Sequence, residues 1–264
     1  MLKLSNRFQL VEPSVWPSMV SIIIMSLFFN TILLLNRREL NLEWKLSKPL
    51  MYITLLVVIV IIYNWINEII IEGNYLGLHT EIVKKMLYWG FMLFLLSEIL
   101  IFGTLFFGYF YTLYFVSVET YNEYLYSGII PLKAFLLPLL NTLILYGSSL
   151  TTFISFNLIK TKTSQKYLLI TIILGILFSS LQFIEYKNSF FTLIDGIYGT
   201  YFYILTGFHG FHVIVGIILL LVSLIRLTLA QELSIGFLAS IYYWYFVDYV
   251  WILIYTSLYI ASSN

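Results

Sequence analysis

Apolar residues along this chain gather into seven long runs: Val15–Leu35, Pro49–Ile71, Met86–Val118, Ala134–Ile159, Tyr167–Ile184, Ile197–Ile225 and Ile235–Ala261. About 20 apolar residues in a helix cross the ~30 Å of bilayer hydrocarbon. Each run therefore predicts a transmembrane helix, and the fold class expected is all-α and polytopic. At about 1.5 Å per residue the third run outreaches the bilayer, so it is expected to tilt or protrude. Pro17 stands near the start of the first run, where a missing N–H costs little. The links Arg37–Lys48, Ser117–Lys133 and Lys160–Lys166 are short and polar. No repeat of 20–50 residues and no low-complexity tract interrupts the pattern. Lysine and arginine orient such chains. With the N-terminus inside, Lys3, Arg7, Lys84, Lys85, Lys160, Lys162, Lys166 and Arg226 lie inside. Arg37, Arg38, Lys45, Lys48, Lys133 and Lys187 then lie outside. The excess favours N-in and C-out, although the first outer loop runs against it.

Composition sharpens this picture. Of 264 residues 61% are hydrophobic and 10% charged, against roughly a quarter charged in a soluble domain. The exterior of a soluble protein cannot absorb that much apolar surface; lipid can. A net charge of +1 implies no pull toward nucleic acid. With no cysteine, disulfides, thiolate metal sites and cysteine nucleophiles are excluded. Met1–Pro13 holds Lys3, Arg7 and Glu12 ahead of an apolar run without a small-residue cleavage site. Neither a secretory signal nor an Arg- and Ser-rich transit peptide is expected.

Ionisable groups at membrane depth are expensive and need a partner or a purpose. Glu98 lies in Phe94-Leu95-Leu96-Ser97-Glu98-Ile99-Leu100-Ile101-Phe102, where nothing on its own helix neutralises it. It reads either as a proton-active or cavity-lining carboxyl, or as a protonated structural one bonded between helices; the residues leave both open. Asp248 shares a helix face with Trp244, Tyr245 and Trp251, which suggests a polar cluster built for packing. His209 and His212 are spaced i,i+3. Two histidines can begin a metal site, but the third, His79, falls near the end of a span, so interhelical hydrogen bonding with Glu98 is the favoured reading and no metal is expected. Gly207, Gly210, Gly103 and Gly108 would let neighbouring helices approach closely. No phosphate loop, Ser–His–Asp set, zinc-protease motif or dinucleotide fingerprint is present. No catalytic residue is assigned.

Several segments resemble one family in order along the chain. Tyr201–Gly216, with Thr206-Gly207-Phe208-His209-Gly210-Phe211-His212, is similar to the sixth helix of cytochrome c oxidase subunit III. Tyr243-Trp244-Tyr245-Phe246-Val247-Asp248-Tyr249-Val250-Trp251 resembles its last helix, and Leu93–Phe102 with Ser97-Glu98 its third. Asp195-Gly196-Ile197-Tyr198-Gly199, Pro138-Leu139-Leu140-Asn141-Thr142 and Pro13-Ser14-Val15-Trp16-Pro17 match as well.

The resemblance implies a seven-helix, non-catalytic subunit of the proton-pumping oxidase that reduces oxygen to water, a multi-pass protein of the mitochondrial inner membrane. It implies two helices (1–75) and five (76–264) around a V-shaped cleft filled with phospholipid. Haems and copper would belong to partner subunits, with no cofactor in this chain. Its partners would be catalytic subunit I, the other oxidase subunits and membrane phospholipid, with a respiratory supercomplex as a further assembly open to it. Glu98 would face the catalytic subunit and support proton uptake or oxygen access. His209, His212, Tyr245 and Asp248 would form a polar network. Trp65, His79 and Arg226 stand where the family holds phospholipid. Some positions depart from the family. Tyr245 stands where many relatives carry histidine, Asn67 and Ile71 where they carry arginines, and Leu78 replaces one of two adjacent histidines. The third loop keeps Gly128-Ile129-Ile130-Pro131-Leu132 without the usual Trp-Pro-Pro. A different class, a secondary transporter or channel with Glu98 as its coupling carboxyl, usually shows inverted halves, which this chain lacks.

Overall fold

The structure is a computed structural model that describes residues 14–35, 44–74, 76–115, 132–159, 161–229 and 235–261. Lys3, Arg7, Glu12, Pro13, Arg37, Arg38, Lys160 and Gly128-Ile129-Ile130-Pro131, all used above, lie outside the described residues. Among the described residues there are seven helices, each long and apolar enough to cross a membrane, and no strand. They are α1 (Trp16–Leu35), α2 (Trp44–Asn74), α3 (Glu81–Phe115), α4 (Leu137–Asn157), α5 (Lys162–Asn188), α6 (Gly196–Thr228) and α7 (Ile235–Ile254). Helix is what lipid demands, because a backbone N–H or C=O in hydrocarbon can be satisfied only within its own segment.

The helices differ from the apolar runs mainly at their ends. α2 begins at Trp44, ahead of Pro49, and α5 extends beyond Tyr167–Ile184 on both sides. Backbone hydrogen bonding continues through polar residues where hydropathy stops. The last run also changes character: after Ile254 the chain continues as a π-helix, Tyr255–Ile260. The carbonyls of Ser257 and Leu258 accept from the Tyr109 and Tyr198 hydroxyls, at 3.3 and 3.4 Å. These are among the last carbonyls of the helix, which lack partners within it.

The chain divides into two compact units, Met1–Lys85 and Met86–Asn264. In the first, α1 and α2 pack together, and the Trp16 indole N–H donates to the Glu68 carboxylate. Most large apolar side chains of this pair are exposed, including Ile22, Phe28, Leu56 and Tyr63.

The second unit is a bundle centred on α7 and the π-helix after it, where Trp244, Val247, Trp251, Ile254 and Leu258 are fully buried. α4 and α5 meet through small hydroxyl residues. Thr151 and Thr171 lie 2.8 Å apart, and Ser155 bonds Ser164, with their hydroxyls 3.1 Å apart. Small residues let backbones approach, which matters in lipid because lipid supplies no hydrophobic force between helices. α3 instead reaches its neighbours through long aromatics: Phe102 touches Phe208 and Phe246, and Tyr109 touches Tyr201.

The turn into α6 explains one sequence motif. Asp195 accepts from the Thr192 backbone N–H at 2.7 Å and from its hydroxyl at 2.9 Å. Gly196 follows at φ +82°, a conformation open to glycine. A Cβ on Gly199 would stand 2.5 Å from the Thr192 carbonyl oxygen. Because that atom is backbone, Gly199→Ala is expected to destabilise the fold by about 1–3 kcal/mol. Equilibrium unfolding in mixed micelles measures this, and an unchanged midpoint would contradict the packing.

Candidate functional site

Glu98 sits on the partly buried stripe of α3 that also carries Leu95, Phe102 and Tyr109. One carboxylate oxygen, Oε2, lies 2.9 Å from Nε2 of His212 on α6. The side chains are 15% and 5% exposed, so the pair is held mostly away from its surroundings. The other ring nitrogen, Nδ1, lies 2.7 Å from the Phe208 carbonyl oxygen. A carbonyl only accepts, so Nδ1 carries a proton. One proton then remains in the Nε2–Oε2 contact. The pair is either neutral acid with neutral imidazole, or carboxylate with imidazolium. Both states carry no net charge, which suits burial at membrane depth. Rings of Phe102, Phe208 and Tyr243 surround the imidazole, with centroids 5.1, 4.9 and 6.2 Å away. The arrangement can hold a proton between two helices or hand it from one partner to the other.

The other residues singled out in the sequence are placed separately. His209 is buried, its ring set against Phe178 and Trp251 at 5.8 and 5.1 Å, with no hydrogen-bond partner for either nitrogen among the described residues. The Tyr245 hydroxyl likewise has none. Asp248 lies beside Ser149 of α4. The indoles that share its face point elsewhere: Trp244 donates to Ser148 at 3.0 Å and Trp251 to Thr142 at 3.1 Å. His209, His212, Tyr245 and Asp248 thus form no single hydrogen-bonded network among the described residues. A neighbouring helix with small hydroxyl residues satisfies the indoles more readily than a carboxyl on the same helix can.

Of the glycines, Gly108 is closely approached, its Cβ position 2.9 Å from the Tyr201 hydroxyl. Gly103 and Gly210 have nothing within 4 Å, so no close approach is made at them among the described residues. Trp65 is partly exposed on α2, and His79 lays its ring over Gly73, with Nδ1 2.7 Å from where a Cβ would stand. Arg226 is half-buried in the last turn of α6. Among the described residues no three His, Asp or Glu side chains converge as a metal site.

Sequence reasoning missed a second buried carboxyl. Glu185 lies one residue beyond the expected end of the fifth span, inside the observed α5. It accepts from the Tyr259 hydroxyl at 2.6 Å. Beside it, the Tyr186 hydroxyl donates to Thr206 at 2.7 Å. The available signal was Gln182 and Glu185 at i,i+3, which puts two polar residues on one face of an apolar helix.

The family model for cytochrome c oxidase subunit III matches residues 6–263, nearly the whole chain. The chain belongs to the cytochrome c oxidase subunit III family. It is 39% identical to cytochrome c oxidase subunit 3 of Pyricularia grisea over 264 residues, covering 98% of this chain and 96% of that protein. The corresponding protein of Podospora anserina is 40% identical over 264 residues, with the same coverage. That of Myxine glutinosa is 35% identical over 269 residues, covering 98% of each. The resemblance read from the third, sixth and last helices therefore extends along the chain. In this subunit III chain the Glu98–His212 pair joins two of those helices, α3 and α6.

Proposed function

We propose that this chain is a non-catalytic subunit of the proton-pumping cytochrome c oxidase, a multi-pass protein of the mitochondrial inner membrane. The match over residues 6–263 carries the proposal. A second feature supports it: one face of α3 is uncovered among the described residues. Leu93, Leu96, Leu100 and Phe107 are all exposed, which suits contact with lipid or with another subunit. Glu98 then borders such a contact from the partly buried side of the helix. In that position the pair with His212 serves as a proton-holding group next to the catalytic subunit, where haem and copper reside. Phospholipid bound at Trp65, His79 and Arg226 is part of the same proposal.

The experiment is purification of the tagged chain from its native membrane in mild detergent. Haem absorbance and larger redox subunits are expected to copurify in fixed proportion. A solitary haem-free chain that conducts solute after reconstitution would overturn the proposal and favour a transporter.

A further inference from the structure

We infer that Glu185, Gln182 and Asn141 hold an ordered water molecule inside the bundle, at a site separate from the Glu98–His212 pair. The three side chains are 2%, 6% and 0% exposed. Gln182 and Glu185 share one face of α5 at i,i+3. The Asn141 amide of α4 donates to Gln182 Oε1 at 3.4 Å, and Tyr259 of the π-helix donates to Glu185 Oε1 at 2.6 Å. Each of the three then keeps one buried polar atom without a well-formed hydrogen bond among the described residues: Asn141 Oδ1, Gln182 Nε2 and Glu185 Oε2, with the Tyr186 and Tyr259 hydroxyls standing near Gln182. Orphans of this kind are costly in a protein interior and are commonly met by ordered water.

The chemistry of the set selects the occupant. Amide nitrogen and oxygen are assigned by hydrogen bonding, so both orientations have to be considered. The Asn141–Gln182 contact needs one N–H and one oxygen, and turning both amides over leaves one N–H and one oxygen as before. The unsatisfied atoms are therefore always mixed, at least one donor beside at least one acceptor. A cation wants oxygens only, and the N–H would face it. Water donates twice and accepts, and fits as found: it accepts from Gln182 and donates to Asn141 and Glu185.

The π-helix makes the site possible. From it Tyr259 reaches Glu185 on α5. Such segments recur at functional sites. The inference does not rest on the assignment to an oxidase, because every group named belongs to this chain.

The test is a density map of the protein in its native assembly, at a resolution that shows water elsewhere in the bundle. A peak bridging the three orphan atoms is expected, and it should vanish in Gln182→Met while the Tyr259–Glu185 bond stays. Infrared spectra give an independent reading. A water O–H stretching band that shifts in H₂¹⁸O is expected, and it should be lost in Gln182→Met. Empty space between the three groups, a cation in all-oxygen coordination, a lipid acyl chain in their place, or the lack of any water band moved by H₂¹⁸O would each overturn the inference.

Discussion

Trp244→Ala is expected to cost the bundle about 3 kcal/mol of stability, toward the low end of what a buried tryptophan loses on truncation. The indole is fully buried and lies in a slot made by glycines on two other helices. A Cβ on Gly175 of α5 would stand 2.7 Å from its ring, and one on Gly216 of α6 2.9 Å. The ring thus fills the space those glycines leave, and its N–H holds Ser148 of α4 at 3.0 Å. One side chain ties α7 to α4, α5 and α6. In water the loss would include both transfer and cavity terms. In lipid the transfer term fades, because acyl chains are as apolar as the core; what remains is lost van der Waals contact around a void. Trp244→Phe keeps most of the ring and loses the N–H, so about 1–2 kcal/mol is expected. Ser148 still donates to Leu145 and is not stranded. Equilibrium unfolding in mixed micelles orders the variants. Equal midpoints for tryptophan and alanine would mean the slot closes without the ring.

The seven spans were legible because lipid leaves the backbone little choice, and a run of about 20 apolar residues can then hardly be anything but helix. Glu98 was legible for the converse reason: one charge in an unbroken apolar run stands out. Glu185 was not. Hydropathy ends a span at the first charged residue, whereas this helix runs on to Asn188 and buries the carboxyl against the π-helix. The π-helix left no trace either, since Tyr255–Ile260 reads as the tail of an apolar run. Periodicity also assigned Trp244 and Trp251 to the face of Asp248, but their N–H groups turn to hydroxyls on α4. Which neighbouring helix supplies a partner is a matter of tertiary packing, and spacing along one helix carries no information about it. The Asp195-Gly196 motif is the opposite case. It stood in the sequence only as a segment of the resemblance, and its meaning proves local, a side-chain-tied turn with a positive φ.

His212→Leu is expected to destabilise the protein by about 3 kcal/mol, the cost of leaving a buried charge or acid without its partner. The geometry makes the dependence one-sided. Nδ1 of His212 is committed to the Phe208 carbonyl at 2.7 Å, so only Nε2 is available to Glu98. Glu98→Gln keeps that contact, because an amide N–H can donate to the same nitrogen, and it removes the option of charge. A cost of about 1 kcal/mol or less is expected for it, with assembly intact. The double variant Glu98→Leu with His212→Leu discriminates further. If the pair is coupled, removing both partners restores an apolar interface between α3 and α6, and the double variant is more stable than His212→Leu alone. Costs that simply add would show that the two side chains stabilise the bundle independently. The proton between them would then have no structural partner to answer to, and Glu98 would owe its place to whatever lies beyond this chain.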